Sequence, residues 1–197
     1  MYSQNREEEI LLSNLPKEGY LLDIGAHDGK QWSNSRALIE QGWKAILVEP
    51  SPVVFVELMN NTADYRETVQ LANMALTSGN EDIVTFYDSI GDGISGYDEA
   101  HLIKWGKPMT WRPMFINLVN VKKFLKHVGY DFEFINIDTE GTNWEILTAI
   151  PWSQMTRIKM VCVEYDNKAP EMTDFMKDNG FALVHRNGEN LIFEKNG

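Results

Sequence analysis

Four short apolar runs in this chain each lead into acidic residues: Tyr20-Leu21-Leu22 into Asp23, Ala45-Ile46-Leu47-Val48 into Glu49, Phe134-Ile135-Asn136-Ile137 into Asp138 and Glu140, and Val161-Cys162-Val163 into Glu164 and Asp166. Carboxylates can accept hydrogen bonds from hydroxyls, take up a proton, or hold a hard cation. Their position past apolar runs puts them at strand ends. The first run leads into Gly25-Ala26-His27-Asp28-Gly29, a turn in which glycine lets backbone approach a ligand because it has no Cβ and tolerates positive φ. Roughly twenty residues on, Glu49 occupies the tip of a second strand, where nucleotide-binding α/β folds hold a ribose. A dinucleotide fold would want G-x-G-x-x-G; here His27 stands where the second close glycine would be, which disfavours NAD.

These groups need elements to position them, and strand and helix alternate along the chain. Strands are expected at Tyr20–Asp23, Lys44–Val48, Thr68–Ala72 continued by Asn73–Leu76, Asp82–Tyr87, Phe115–Val119, Phe132–Ile137 and Lys159–Glu164, and helices from about Gln31–Ser35 through Ile39, at Val53–Asn60, Val121–Val128, Thr142–Ile150 and Pro170–Asn179. Such alternation implies parallel strands joined by crossover helices. Phe181–His185 and Leu191–Glu194 flank the turn Asn187-Gly188-Glu189 and read as an antiparallel pair. Residues 1–18 read as a short helix with Ile10, Leu11, Leu12 and Leu15 on one face, ended by Pro16. Residues 88–114, rich in Gly and Pro but carrying Trp105 and Trp111, read as an irregular, lid-like cover over the site.

The segments LLDIGAHDG (Leu21–Gly29), GWKAILVEPSP (Gly42–Pro52), FINIDTEG (Phe134–Gly141) and VCVEYD (Val161–Asp166) together resemble the FkbM family of class I S-adenosylmethionine-dependent methyltransferases. The resemblance implies a Rossmann-like α/β fold in one domain over 1–197: a mostly parallel seven-stranded sheet, one antiparallel strand from the C-terminal hairpin, and helices on both faces. It implies S-adenosylmethionine as cofactor and O-methylation of a hydroxyl on a sugar or other small metabolite. Carried onto this sequence, the cofactor-binding set is Asp23, Gly25, Ala26, His27, Gly29, Glu49, Pro50, Ser51, Asn73, Met74, Asp138 and Thr139. Glu49 would take the ribose hydroxyls, and Asn73 and Met74 would border the adenine. Asp138, Glu140 and His101 are the candidates for the base that takes the acceptor's proton.

Composition bounds the alternatives. The chain has 197 residues, is 43% hydrophobic and 24% charged, and carries a net charge of −11. That charge disfavours nucleic acid, whose binding rests on Lys and Arg meeting phosphates, and the N/D-P-P-Y/F run of amino-methylating enzymes is replaced here by Asp138-Thr139-Glu140-Gly141. A nucleic-acid methyltransferase and a non-catalytic cofactor-binding scaffold are the alternative readings. No apolar run approaches the ~18 residues of a membrane span, and MYSQNREEEI does not read as a signal peptide. With one cysteine, Cys162, no internal disulfide forms, so a cytoplasmic protein is expected. Asp138, Glu140, Glu164 and Asp166 are oxygen ligands of the kind Mg²⁺ or Ca²⁺ takes, but nothing in their spacing fixes a coordination set, and no metal site is assigned.

Overall fold

The computed structural model, in which strands and helices alternate, describes residues 1–89, 95–97, 103–104 and 111–197. The chain runs α1 (Glu7–Asn14), β1 (Tyr20–Ile24), α2 (Arg36–Glu40), β2 (Lys44–Val48), α3 (Pro52–Asn61), β3 (Val69–Ala72), β4 (Ala75–Thr77), β5 (Asp82–Asp88), β6 (Arg112–Asn120), α4 (Val121–Val128), β7 (Phe134–Ile137), α5 (Asn143–Ala149), β8 (Met160–Glu164), α6 (Ala169–Asp178), β9 (Phe181–Arg186) and β10 (Asn190–Lys195). The main sheet has seven strands in the order β3-β2-β1-β7-β8-β10-β9. Every pairing from β3 to β8 is parallel, and β10 is antiparallel to both β8 and β9. The expected fold class is the observed one.

Strand alternation sorts the core into two layers. On one face Leu22, Ile24, Ile135, Ile137, Val161 and Val163 pack with Val121, Phe124 and Leu125 of α4, Ile146 and Leu147 of α5, and Met172 and Met176 of α6. On the other face Leu21, Ala45, Leu47, Phe134, Met160 and Cys162 pack with Leu11 of α1, Leu38 and Ile39 of α2, and Leu58 of α3. The free cysteine is thus a buried core residue. Among the described residues no helix is long and apolar enough to cross a membrane.

Three expectations are corrected. Residues 73–76 do not continue the third strand: the chain leaves the main sheet at Ala72, and β4 joins a separate three-stranded sheet in the order β4-β6-β5. Its inner face is a small apolar cluster of Ala75, Phe86, Ile116 and Leu118. The irregular segment is shorter than 88–114, because Asp88 ends β5 and Arg112 begins β6. Most of that lid-like call, with Trp105, lies outside the described residues, while Trp111 is buried.

The third correction concerns α1. Its inward side is not an all-apolar stripe: Leu12 is exposed, whereas Glu7 is fully buried and Glu8 nearly so. Glu7 accepts hydrogen bonds from the Asn5 backbone N–H (2.9 Å), from Nδ2 of Asn187 (2.6 Å) and from Nδ2 of Asn190 (2.8 Å). An ionic group can be buried only when such donors replace its water. The N-terminal segment is thereby tied to the β9–β10 hairpin. Gln4 and Asn5 extend the tie, donating from their side-chain amides to the two carboxylate oxygens of Glu189 (2.9 and 3.0 Å). Removing the Glu7 carboxylate leaves three donors without their acceptor, so Glu7→Ala should cost roughly 2–4 kcal/mol in urea unfolding. Burial pushes the Glu7 carboxyl up, but the hydrogen bonds from its own backbone, Asn190, Asn5 and Asn187 outweigh that and hold it below its ordinary value. A depressed folded value means the contribution is full above the unfolded pKa and lost as pH falls through the folded one. The gap between wild type and Glu7→Ala should therefore narrow as the pH is taken below about 4.

Candidate active site

The tips of β1, β2 and β7 meet at Gly25. Its N–H and that of Ala26 both donate to the Val48 carbonyl at the end of β2 (2.9 and 3.0 Å), and the Asp138 N–H donates to the Ile24 carbonyl (2.9 Å). Gly25 has φ +90°, and a Cβ built on it would lie 1.7 Å from the Asp138 carbonyl oxygen. No other residue satisfies both constraints.

The turn that follows is held to β2 by Glu49. One carboxylate oxygen accepts from the His27 N–H (3.0 Å) and the other from the Ser51 N–H (2.7 Å). His27 is itself in the left-handed region, φ 50°. Ser51 caps α3, its hydroxyl accepting from the Val54 N–H (3.1 Å) and donating to Asp88, with Pro52 in the first turn where its missing N–H costs nothing. Burial pushes Glu49 up to about 7; the two N–H donors pull it back, and the charges of Asp88 and Asp23 push it up further.

Asp23, 1% exposed, faces no cation within its own hydrogen bonds. It accepts from Nδ2 of Asn136 (2.8 Å) and from the Ser35 hydroxyl (2.5 Å), and Asn136 in turn accepts from Nδ2 of Asn34 (3.1 Å). Burial raises its pKa, and these two hydrogen bonds offset part of the rise.

The acidic ends of β7 and β8 are gathered by one amide. Oδ1 of the fully buried Asn143 accepts from the Thr139 N–H (2.7 Å) and hydroxyl (2.9 Å), while its Nδ2 donates to Glu164 (2.9 Å) and Asp166 (2.8 Å). Asp138 is hydrogen-bonded to Glu164, and burial with the neighbouring Glu164 and Glu140 charges drives its carboxyl well above the ordinary range. Glu140 is pushed up to about 8 by burial and by the charges of Glu164 and Asp166, against the opposing pull of Lys104. Glu164 is pushed up to about 7 by burial and Asp166, against hydrogen bonds from Asn143 and Asp138. Glu140 sits at φ 51° in the loop before α5, a helix that starts at Asn143 with no hydrogen bond from the side chain of its N-cap residue Thr142. The arrangement can accept a proton near neutral pH, because a carboxylate so destabilised is a stronger base than one in water.

These groups surround one cavity of about 290 Å³. Of the expected residues it brings together Asp23, Gly25, Ala26, His27, Glu49, Pro50, Ser51, Met74, Asp138, Thr139 and Glu140. Gly29 and Asn73 do not line it. Gly29 (φ +70°) lies against α3, where a Cβ would come 2.5 Å from Leu58, and Asn73 spends its amide on the carbonyls of Glu49 (2.8 Å) and Pro50 (3.2 Å). Both support the walls of the site rather than its surface. His101 lies outside the described residues. Gln4, Asn34, Glu189 and Asn190 line the cavity without having been expected, and Glu164 lines it as one of the polar strand ends read from the sequence. Gln4 and Glu189 carry no sequence signal, since polar residues in a terminus and a hairpin turn are ordinary there.

Comparisons with known proteins bear on the family and the fold. The family model for the methyltransferase FkbM domain matches residues 23–183, most of the chain. No curated protein matches the sequence. Among solved structures, the methyltransferase FkbM of Methylobacillus flagellatus KT is similar at 10% identity and TM-score 0.56, over 90% of this chain and 44% of that one. A Streptococcus pneumoniae protein in complex with S-adenosyl-L-methionine is similar at 16% identity and TM-score 0.56, over 99% of this chain and 73% of that one. The B. subtilis tRNA methyltransferase TrmK is similar at 10% identity and TM-score 0.51, over 100% of this chain and 68% of that one. At such identities the structural likeness speaks for the fold, and the family rests on the matched segment: this chain belongs to the FkbM methyltransferase family.

Proposed function

We propose that this methyltransferase moves a methyl group from S-adenosylmethionine to a hydroxyl oxygen of a small polar metabolite, a sugar or a molecule like one, in the cytoplasm. The observation that carries the reading is the continuity of one cavity from the Gly25 turn and Glu49 to the Asp138–Glu164 pair. S-adenosylmethionine presents an ammonium, two ribose hydroxyls and an adenine amino group, and this cavity presents carboxylates and carbonyls, so the donor set of one suits the acceptor set of the other. When bound, the cofactor supplies a methyl on a positively charged sulfur, open to in-line attack.

The chain's own residues do the rest. Glu49, fixed by the His27 and Ser51 N–H groups, has lone pairs left for the vicinal ribose hydroxyls. Met74 gives an apolar edge for the adenine. The turn from Gly25 to His27 brings main chain to the cofactor's middle. Asp138 and Glu164 share a hydrogen bond and hold the acceptor's proton at a carboxylate oxygen as the methyl moves. Glu140 stands beside them as a second proton acceptor. Holding the two reacting atoms in line is the larger part of the catalysis, and the base adds to it. The net charge of −11 and the acidic cavity argue against a nucleic-acid acceptor.

The test is calorimetry with S-adenosylmethionine followed by transfer of labelled methyl to a panel of hydroxylated acceptors; no heat of binding would end the reading. Glu49→Ala should weaken cofactor binding by roughly 1.5–3 kcal/mol, the scale of hydrogen bonds to a charged group, and a loss under 0.5 would demote Glu49 to a structural role (about twofold in Kd). Asp138→Asn should bind cofactor yet turn over ~10²-fold more slowly. In the cofactor-free protein Glu49 has a raised folded pKa, so its protonated form favours the native state below the unfolded value and that advantage is lost as pH rises toward about 7. The stability difference between Glu49→Gln and wild type should accordingly move in the variant's favour between pH 4 and pH 8, as followed by urea unfolding (the window set by roughly 4.3 unfolded and the raised folded value).

A further inference from the structure

One large apolar side chain stands open at the mouth of the cavity. Among the described residues Trp32 is the one exposed large hydrophobic side chain that lines the cavity, and 46% of its surface is accessible. Its backbone is left-handed, φ 59°, a conformation that a bulky residue adopts only where its surroundings impose it. They do so here. The Asp28 carboxylate accepts from the N–H groups of Lys30 (2.8 Å) and Gln31 (2.7 Å) on one side, and the Ser33 hydroxyl accepts from those of Ser35 (3.3 Å) and Arg36 (3.0 Å) on the other. Ser3 pairs with Trp32 in an isolated parallel bridge. The indole is thus presented from a fixed backbone, with the His27 ring, 6.0 Å away, as its one aromatic neighbour among the described residues. Among those residues neither the indole N–H nor the side-chain amide of Gln31, which also lines the cavity, makes a hydrogen bond.

The order of contacts along the cavity says which part of the reaction Trp32 faces. Asn73, next to Met74, donates to the carbonyls of Glu49 and Pro50; Glu49 accepts from the His27 N–H; the His27 ring lies beside Trp32. Met74, Glu49, His27 and Trp32 therefore succeed one another. With the adenine at Met74 and the ribose at Glu49, the sulfur of S-adenosylmethionine follows on the side away from the adenine, and Trp32 stands beyond it. Ser3 and Gln4 place Trp32 at the end closed by the N-terminal segment and the β9–β10 hairpin, since Gln4 donates to Glu189 at 2.9 Å.

Resting on the methyltransferase reading above, we infer that Trp32 is the platform for the acceptor: a cyclic sugar lays one C–H face on the indole and turns its hydroxyls toward Gln4, Gln31 and the Asp138–Glu164 pair. The face of an indole is electron-rich and attracts the weakly positive C–H groups of a pyranose, while the equatorial hydroxyls stay with polar partners. Amides offer those hydroxyls both donors and acceptors. An open-chain polyol would satisfy the amides but has no lasting apolar face. A flat aromatic would stack as well, yet it would turn C–H edges toward the amides. The packing of the fold gives no separate reason for tryptophan here: the backbone conformation suits glycine, and the side chain is nearly half in solvent.

The experiment uses protein saturated with S-adenosylhomocysteine. Methyl pyranosides of gluco, galacto, manno and rhamno configuration are followed by saturation-transfer difference NMR, with sorbitol as the open-chain polyol and catechol as the flat aromatic. At least one pyranoside should take up saturation on the C–H protons of one ring face. It should bind about threefold or more tighter than sorbitol, the scale of one stacked aromatic contact. Trp32→Ala should abolish both the signal and the preference, and Trp32→Phe, with a smaller ring, should keep part of each. Trp32→Gly separates this role from a structural one. Glycine suits φ 59°, so that variant should unfold at the same urea concentration as the wild type or a higher one and bind S-adenosylhomocysteine within about twofold, yet give no pyranoside signal. Absence of any pyranoside signal, sorbitol binding as tightly as every pyranoside, catechol binding tighter than all of them, a signal that survives Trp32→Ala, or a Trp32→Gly protein that loses both stability and S-adenosylhomocysteine affinity would each overturn the inference. If S-adenosylhomocysteine itself fails to bind the wild type, the cofactor reading falls and this inference with it; if it binds and the pyranoside results fail, only this inference falls.

Discussion

The site depends on one close approach: the carbonyl of Asp138 occupies the space where any residue other than glycine at position 25 would carry its Cβ. That contact closes the tip of β7 onto the tip of β1, while the N–H groups of Gly25 and Ala26 close the same tip onto β2 through the Val48 carbonyl. Three parallel strands are thus drawn together just where they end. The side chains at these ends, Asp23, Glu49 and Asp138, all line the same cavity. In an open parallel sheet the crevice beyond the carboxyl ends is where ligands bind, and here the crevice is kept narrow by backbone contacts that side-chain rearrangement cannot relax.

Drawing carboxylates together has a cost. Glu49, Asp138, Glu140 and Glu164 are all raised above the ordinary carboxylate range, each by burial first and by a neighbouring carboxylate after that. In a protein designed only for stability such groups would be apolar or paired with lysine or arginine. Asn143 shows how the fold tolerates them: one amide serves Thr139 on one side and both Glu164 and Asp166 on the other, so the cluster is hydrogen-bonded, with Lys104 3.8 Å from Asp166 as a nearby cation. A ligand that brings positive charge, as the sulfonium of S-adenosylmethionine does, would offset part of that cost. A molecule that binds the native state alone stabilises it in proportion to its affinity, and a cavity so charged gives its largest gain to a cation.

Much of the fold was legible because parallel strands buried on both faces read as unbroken apolar runs. β1, β2, β7 and β8 stand within two residues of their expected limits, and Val121–Val128 was readable as an amphipathic helix between Asn120, which caps it, and Gly129. The small sheet was not legible in its pairing. Ala75–Thr77 is only three residues, and nothing local tells whether it extends β3 or pairs with β6, forty residues on. The buried Glu7 was invisible for a related reason: a glutamate in the first turn of a helix reads as a solvated charge, and only the hairpin asparagines, some 180 residues away, make it a core residue. Gly29 and Asn73 show a different difficulty. Their types and places suit ligand contact, yet the turn used them for its own packing and hydrogen bonding, and sequence pattern does not separate a residue that faces a ligand from one that faces the residue facing it.

The family match runs from residue 23 to residue 183, and its limits divide the cavity in a way that bears on substrate choice. The residues proposed to face the cofactor, from Asp23 and Glu49 to Asp138 and Thr139, fall inside it. Gln4, Asn5, Glu189 and Asn190 fall outside it, on an N-terminal segment and a hairpin that bind each other through Glu7 and Glu189. A fold does not set its own substrate; the groups attached around its site do. Here the two flanking segments close one end of a cavity whose other end follows the family pattern. They are joined to each other by neutral amides rather than by lysine or arginine. An exchange of a few side chains in these segments would change the groups offered at the acceptor end while leaving Gly25, Val48 and Asp138 in the contact on which the rest is built.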